Sequence, residues 1–257
     1  MLFSLILLYY NESGAIMKST RHVDICFSPA LYASYHREGN LVVVIDLFRA
    51  TTAIITAMAN GARSIKPVAD IESALACRDN GFVVAGERNG HKLTEFDFGN
   101  SPLEFTAGRI QNKDLAITTT NGTQAFAAAQ GQKTIAAALI NYKAAMQYIQ
   151  SGKQDVLLLC SGWTNKMNIE DTLLAGKFAR DLLAEDGFYS TSDSIAIAEA
   201  MLQAAGDKWL EFILDSSPRL KRKYELLKDD MAWAMRGDIS NVVPLLKNDR
   251  LVPASEY

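Results

Sequence analysis

The sequence predicts an α/β protein with a three-layer α/β/α arrangement, a largely parallel or mixed sheet and a helical C-terminal part. Short β-rich apolar runs alternate with helix-like stretches for most of the 257 residues. Several of these runs lack the apolar–polar alternation of a half-exposed strand, which indicates burial on both faces. Alternating strands and helices are typical of a parallel sheet that is covered by helices on both sides.

The elements follow from local patterns in chain order. We predict strands at residues 23–27, 41–45, 64–68, 82–86, 115–118, 134–138 and 155–160. We predict helices at residues 51–60, 71–80, 124–130, 142–150 and 169–186. Each of the first three helices is followed by glycine, which is a helix-stop signal. From Asp193 onward the chain is mainly helical, and residues 242–246 are expected to form an edge strand limited by Pro244.

Length and composition favour one domain at residues 17–257, preceded by an extension at residues 1–16. Translation starting at Met17 is our preferred interpretation, and a signal peptide in the apolar stretch at 2–10 is left open. A net charge of -3 gives no reason to expect a nucleic-acid or membrane partner. The three cysteines form neither a disulfide framework nor a CxxC metal site, which favours the reducing cytoplasm. A homo-oligomer is left open.

Polar residues follow the buried strands, and ligands of open parallel sheets bind outside the carboxyl ends of the strands. After the strand at 41–45, Asp46 is a candidate metal ligand and Arg49 a candidate phosphate ligand. Thr51 and Thr52 add hydroxyls and amides at a helix N-terminus. The alternative is that these residues only end a strand and cap a helix.

The loop after the strand at 82–86 also carries polar candidates. Glu87 and Arg88 stand at the strand end, and Asn100 and Ser101 precede Pro102, which suits a first helical turn. The length of this loop favours a functional role, and a surface excursion with a capping residue is the alternative.

The run TTTNGT at residues 118–123 suits an oxyanion, because small residues let backbone amides approach a ligand closely. Its candidate binding residues are Thr119, Thr120, Asn121, Gly122 and Thr123. The run lacks the lysine of a nucleotide P-loop. The alternative is an Asn-Gly turn with a threonine cap.

The loop after the strand at 155–160 supplies Ser161, Gly162 and Lys166, then Glu170 and Asp171 at a helix start. Acids in a first helical turn are also ordinary because of the helix dipole. We interpret Cys160 as a buried strand residue, because the loop lacks the pattern of a cysteine phosphatase. Taken together, carboxylates, hydroxyls and cations at one sheet edge suit Mg²⁺ and a phosphate ester.

The segments VVVIDLFRATT, GERNG with FDFGNSP, TTTNGT and CSG with NIEDTLLAG resemble, in sequence and order, the 2-phosphosulfolactate phosphatase family. The resemblance covers about residues 23–253, including the tail that begins at Lys228. It implies a Mg²⁺-dependent phosphoric monoester hydrolase that converts 2-phospho-3-sulfolactate to 3-sulfolactate, a step of coenzyme M synthesis, on a three-layer α/β/α fold. Phe48, Ile54 and the loop WTNKMN depart from the family pattern, and the loop bears mainly on substrate preference.

The roles that follow are hypotheses. Asp46, Glu87 and one of Glu170 or Asp171 would hold Mg²⁺; Arg49, Thr51, Thr52 and the TTTNGT amides would bind the phosphoryl group. Arg88 and Lys166 are candidates for the substrate carboxylate or sulfonate. The predicted catalytic residues are Asp46, Arg49, Glu87 and Asn121.

Two mechanisms and two other functions stay open. Water would attack phosphorus, and a covalent aspartyl-phosphate on Asp46 is the alternative. The other functions are a phosphatase of another small phospho-hydroxy acid and a non-catalytic binder of a phosphorylated metabolite.

Overall fold

The computed structural model describes residues 20–254 and the backbone of two short strands at 8–10 and 16–18. The strands of this part are, in chain order, β1 Leu8–Tyr10, β2 Ile16–Lys18, β3 Arg21–Cys26, β4 Leu41–Ile45, β5 Ser64–Pro67, β6 Val83–Arg88, β7 His91–Lys92, β8 Asp114–Thr118, β9 Lys133–Ala137, β10 Val156–Cys160, β11 Phe188–Tyr189, β12 Pro244–Lys247 and β13 Arg250–Pro253. The predicted extension at 1–16 lies mostly outside the described residues.

The helices of the same part are α1 Tyr32–Tyr35, α2 Ala50–Ala59, α3 Ile71–Arg78, α4 Ala107–Ile110, α5 Gly122–Ala128, α6 Tyr142–Ser151, α7 Ile169–Leu183, α8 Asp193–Ala205, α9 Trp209–Ser216 and α10 Pro218–Ala234. Every strand and helix predicted before Asp193 has a counterpart in these elements, with ends that differ by a few residues. Among the described helices, none combines the length and apolar character that a bilayer crossing needs.

One mixed sheet of eleven strands forms the middle layer, in the order β11-β3-β10-β4-β9-β12-β13-β5-β8-β6-β7. The strands from β11 to β9 are parallel to one another, and β5, β8 and β6 form a second parallel block. The two blocks are joined by the antiparallel hairpin β12–β13. The predicted fold class is therefore confirmed, and the sheet is mixed.

Alternate residues of β4 belong to two separate cores. Val43 and Ile45 pack with Phe178 of α7 on one face, whereas Val42 and Val44 pack with α2 and α5 on the other. Because successive strand side chains point to opposite faces, a strand covered on both sides must be apolar throughout. This requirement explains the uninterrupted run LVVVI.

The prediction of an edge strand at 242–246 is wrong. β12 lies in the middle of the sheet, between β9 and β13. Proline is tolerated there because Pro244 is the first residue of β12 and pairs with Pro253 at the end of β13. The C-terminal tail therefore fills the gap between the two parallel blocks.

The hairpin also reverses the strand direction between the blocks. Three antiparallel pairings separate β9 from β5, so β4 and β8 run in opposite directions. A flat sheet would place their carboxyl ends at opposite edges. Sheets twist by roughly 20–25° per strand pair, and five pairings accumulate about 100–125°, which turns the ends of β4 and β8 toward each other.

Candidate active site

A cavity of about 120 Å³ lies where the carboxyl ends of β4, β6 and β8 meet the side of α10. This volume is well below the roughly 300–1,000 Å³ of a site for a drug-sized ligand, so it suits a small metabolite. Seven of the predicted site residues line it: Asp46, Arg49, Glu87, Asn100, Thr119, Thr120 and Asn121. Side chains far apart in the sequence are thus brought to one place.

The β4–α2 turn positions Asp46. Its backbone N–H donates to Thr51 Oγ1 at 3.0 Å, and the Thr51 hydroxyl donates back to the Asp46 carbonyl at 2.9 Å. The amide of Ala50 donates to Asp46 Oδ1 at 3.1 Å, which orients the carboxylate. Thr52 bonds the Leu47 carbonyl. Thr51 and Thr52, predicted as substrate-binding residues, are fully buried supports of this turn and do not line the cavity.

Arg49 is held in the cavity wall by an ion pair that the sequence did not reveal. Its Nη1 pairs with Asp230 Oδ2 on α10, and both side chains are more than nine-tenths buried. Its Nη2 donates to the carbonyl oxygen of Gly90 at 3.1 Å. Ser101 donates its hydroxyl to Asp230 Oδ1, so Ser101 acts on Asp230 and does not itself line the cavity.

A two-residue hairpin between β6 and β7 forms the next wall. Asn89 and Gly90 have φ of 58° and 91°, as the twist-matching turn of an Asn-Gly hairpin requires. Glu87 Oε2 accepts the Gly90 amide at 2.6 Å, and Oε1 accepts the Thr120 amide at 2.9 Å. Glu87 therefore joins the ends of β6 and β8.

The threonine-rich run after β8 closes into a compact turn. Thr119 and Thr123 exchange hydrogen bonds between side chains and backbone, so Thr123 supports the turn and stays outside the cavity. Asn121 Oδ1 accepts the backbone N–H of Thr164 at 2.9 Å. The run is thereby tied to the loop that follows β10.

Gly122 allows the two halves of the site to touch. A Cβ atom at this position would lie 2.5 Å from Ala50 Cβ and 2.7 Å from Asp46 Oδ2. Contacts this short do not occur, so α5 could not approach the β4–α2 turn with any larger residue here. Glycine is required by close approach at this point.

We expect Gly122→Ala to lower the free energy of unfolding by about 1–3 kcal/mol, because the turn and the Asp46 carboxylate must move apart. Urea denaturation measures this change. Gly108→Ala in α4 is the matched control, because an added Cβ there meets nothing within 4 Å. Equal stability of Gly122→Ala and the parent protein would show that the close approach does not exist.

The start of α7 brings two adjacent acids behind the cavity, where Asn168 caps the helix by accepting the Asp171 amide. Asp171 is fully buried and accepts from the Leu47 amide at 2.9 Å, the Gly162 amide at 3.2 Å and Asn168 Nδ2 at 2.8 Å. Glu170 accepts from Arg219 at 2.6 Å through Oε1. Asp171 therefore ties loops together, whereas Glu170 keeps an oxygen available.

Burial and neighbouring negative charges raise the pKa of two carboxyl groups at the site. Burial raises the pKa of Asp46 to about 7, and the negative charges of Glu170 and Glu87 add to the shift. Burial also raises the pKa of Asp171 well above its usual range, with further contributions from Asp46 and Glu170. The site thus concentrates negative charge that a bound cation would neutralise.

The carboxylates of the site suit a hard cation that keeps several water ligands better than a cation coordinated by the protein alone. Within residues 20–254, no three His, Cys, Asp or Glu side chains are arranged as direct metal ligands. Mg²⁺ commonly keeps several waters and binds through one or two carboxylates. Asp46, Glu87 and Glu170 are the suitable oxygens, whereas Asp171 is already engaged by three N–H donors.

Several predicted contacts lie elsewhere. Arg88 follows Glu87 in β6 and so points to the opposite face of the strand, where it donates to the Glu87 carbonyl and to Thr118 Oγ1. Lys166 is exposed, and its backbone closes a turn with Trp163. Ser161 and Gly162 are buried behind the cavity. These four residues do not line the cavity, and their predicted contacts with the substrate stay predictions.

α10 supplies cavity residues that the sequence analysis missed. Arg219, Leu220, Lys223 and Leu227 line the cavity, and Asp230 holds Arg49. Positions 219, 223, 227 and 230 recur every three or four residues, so they share one face of the helix. This spacing was the available signal, but it does not indicate which part of the sheet the helix faces.

Unsatisfied polar atoms also concentrate here. In the described part of the chain, the buried side-chain atoms without a hydrogen-bond partner are Asn100 Oδ1, Thr120 Oγ1, Ser161 Oγ and Glu170 Oε2. Asn100 and Thr120 line the cavity, and Glu170 is paired with the cavity residue Arg219. Such orphaned atoms are rare in folded proteins, and a bound ion, water or polar ligand would satisfy them.

A larger cavity of about 720 Å³ lies between α7, α8 and α9. Its wall includes Arg180 and Glu199, which are paired with each other at 2.9 Å. It contains none of the polar residues that follow the strands. The smaller cavity is therefore the candidate active site.

Comparison with known proteins gives one consistent result. Residues 26–249, which include every cavity residue named above, match the family model described as 2-phosphosulpholactate phosphatase. A Thermotoga petrophila protein named probable 2-phosphosulfolactate phosphatase is 38% identical over 227 residues, 88% of this chain and 96% of the relative. Relatives with the same name from Thermotoga maritima and Clostridium tetani are each 37% identical, over 88% of this chain and 96% and 98% of their own lengths.

Proposed function

The chain belongs to the 2-phosphosulfolactate phosphatase family, and from this premise we propose that it hydrolyses 2-phospho-3-sulfolactate to 3-sulfolactate and phosphate. The orphaned polar atoms at a cavity that also contains Arg49, Arg219 and Lys223 carry the proposal. Of the partnerless groups at the cavity, the Thr120 hydroxyl can donate to a phosphoryl oxygen, and the cations can pair with the phosphoryl charge. The acceptor oxygens of Asn100 and Glu170 instead suit a donor or a bound cation. The use of the product in coenzyme M synthesis stays a prediction.

In this proposal Arg49 binds the phosphoryl group. A guanidinium has five N–H donors, and the bonds to Asp230 and Gly90 leave others available. Thr120 and Asn100 add polar groups that line the same cavity. Because these donors are held in place before the substrate arrives, they stabilise developing charge without reorganisation.

Water aligned by Asp46 then attacks phosphorus and gives up a proton to Asp46, while the bond from phosphorus to the ester oxygen breaks on the opposite side. The leaving ester oxygen takes up a proton and becomes the hydroxyl of 3-sulfolactate. The alternative is attack by Asp46 itself, which forms an aspartyl-phosphate. Acid quenching during turnover, followed by mass measurement of the Asp46 peptide, separates the two routes. A phosphorylated Asp46 peptide that forms and decays at the rate of turnover would replace water attack by the covalent route.

We propose that Asp46, Glu87 and Glu170 would hold Mg²⁺ in part through bound water, and that the ion would supply Lewis-acid neutralisation of phosphoryl charge when bound. Burial, together with the negative charges of Glu170 and Glu87, raises the pKa of Asp46, and this unfavourable negative charge supports a cation among these carboxylates.

The substrate is tested by phosphate release from 2-phospho-3-sulfolactate and a panel of other phosphorylated hydroxy acids. We expect the highest kcat/KM with 2-phospho-3-sulfolactate. A higher kcat/KM with another panel member would reassign the substrate. Stabilisation of the protein by these compounds without phosphate release would favour a binder.

Metal removal should abolish turnover. With EDTA in excess, we expect phosphate release to fall to background and to return when Mg²⁺ is added beyond the chelator, because the cation offsets charge at phosphorus. The unfolding temperature in the same EDTA serves as the control for loss of structure. Full activity in EDTA would show that the hydrolysis does not require Mg²⁺, and the proposed hydrolase activity would still stand.

A further inference from the structure

We propose that Lys223 of α10 forms a second anion subsite beside Arg49 and binds a further acid group of the substrate, its carboxylate or sulfonate. The subsite would select phosphorylated acids over phosphate esters of neutral alcohols. This inference rests on the proposed function, because it assigns the substrate class of the same site.

The position of Lys223 relative to Arg49 is set by the β6–β7 hairpin. Lys223 Nζ donates to the carbonyl of Asn89 at 2.9 Å, and Arg49 Nη2 donates to the carbonyl of Gly90 at 3.1 Å. The two cations thus contact the carbonyls of consecutive residues of one turn, and both line the same cavity of about 120 Å³. One small substrate in this cavity can therefore reach both cations.

Lys223 differs from the other cations of the cavity in its partners. Arg49 is paired with Asp230, and Arg219 with Glu170. For Lys223, no carboxylate of residues 20–254 lies within ion-pair distance, and Nζ meets a neutral carbonyl. The side chain is half-buried in the cavity wall. A cation that is partly removed from water gains most from an anionic partner.

The lysines on the outer face of α10 differ from Lys223, because each of them is paired with a carboxylate. Lys221 pairs with Asp215 at 3.2 Å, and Lys228 pairs with Glu225 at 3.0 Å, both as exposed surface pairs. Such pairs are ordinary on a solvated helix. Lys223 instead points into the cavity.

The charge of the substrate explains why a second subsite is needed. Phospho-sulfolactate carries a carboxylate and a sulfonate besides the phosphoryl group, so the cations around phosphorus do not suffice. Arg88 and Lys166, the cations predicted for this task, lie outside the cavity. Lys223 is at the cavity wall and takes their place.

The test compares kcat/KM of Lys223→Met and the parent enzyme with three substrates. These are 2-phospho-3-sulfolactate, 2-phospholactate, which lacks the sulfonate, and glycerol 2-phosphate, which lacks both acid groups. We expect the variant to lower the ratio of kcat/KM for 2-phospho-3-sulfolactate to that for glycerol 2-phosphate by about 10- to 100-fold, as loss of a charge-assisted hydrogen bond does. If Lys223→Met also lowers kcat/KM for 2-phospholactate relative to glycerol 2-phosphate, the bound group is the carboxylate. If this ratio is unchanged for 2-phospholactate, the bound group is the sulfonate.

Lys221→Met is the matched control, and its substrate ratio should equal that of the parent. Equal losses with all three substrates in Lys223→Met, or no loss with any, would overturn the subsite. Lys223→Arg, which keeps a cation, should retain most of the discrimination.

Binding of the product tests the subsite without turnover. Calorimetry with 3-sulfolactate should show about tenfold weaker binding to Lys223→Met than to the parent protein. Unchanged affinity, or no binding to the parent protein, would contradict the subsite. A parent protein that binds 3-sulfolactate through Lys223 but releases no phosphate from any substrate would refute the hydrolase and keep the subsite.

Discussion

Arg49→Ala is expected to lower kcat/KM for 2-phospho-3-sulfolactate by about 100-fold or more, because one fixed donor to developing charge is typically worth that much. The guanidinium is already oriented by Asp230 and the Gly90 carbonyl, so it meets the phosphoryl group without losing further freedom. Steady-state phosphate release measures the effect. The assay temperature must lie below the unfolding transition, since the substitution leaves Asp230 buried without its partner.

Two further variants separate charge from geometry. Arg49→Lys keeps the cation but loses the fork that contacts Asp230 and Gly90 together, so we expect it to recover only part of the activity. Arg222→Ala, on the exposed face of α10, should leave kcat/KM unchanged. Full activity of both Arg49→Ala and Asp46→Asn would show that the active site is elsewhere.

Asp230→Ala should lower both stability and activity. Removing one partner of a buried ion pair leaves an uncompensated charge, which typically costs about 3–5 kcal/mol, and both side chains here are more than nine-tenths buried. The Ser101 hydroxyl also loses its acceptor. Urea denaturation and phosphate release on the same samples measure the two effects.

The neighbouring residue offers a matched control. Asp229 is exposed, so Asp229→Ala should change the free energy of unfolding by no more than about 0.5 kcal/mol. The double variant Arg49→Met with Asp230→Leu should be more stable than Asp230→Ala, because no buried charge is left unpaired, but as inactive as Arg49→Ala. If Asp230→Ala were as stable and as active as Asp229→Ala, the ion pair between Arg49 and Asp230 would contribute neither to stability nor to activity.

The elements could be read from the sequence because their signals are local. The apolar run of β4 and the glycines after α2 and α3 each lie within or beside the element that they indicate. The polar residues after β4, β6 and β8 were also found locally. The place of β12 in the sheet could not be found from local signals, because a strand with proline at its start fits an edge or a sheet interior equally well until its neighbours are known.

The sequence by itself determined the alternation of buried strands and helices, and it marked Asp46, Arg49, Glu87 and the TTTNGT run as the polar ends of those strands. Only the tertiary structure decided their partners. Arg49 and Asp230 are 181 positions apart, and nothing local relates the face of α10 to the turn after β4. The physical reason is that periodicity reports which way a side chain points relative to its own element. Which other element lies opposite depends on the sheet order and on the twist that brings two oppositely directed blocks together.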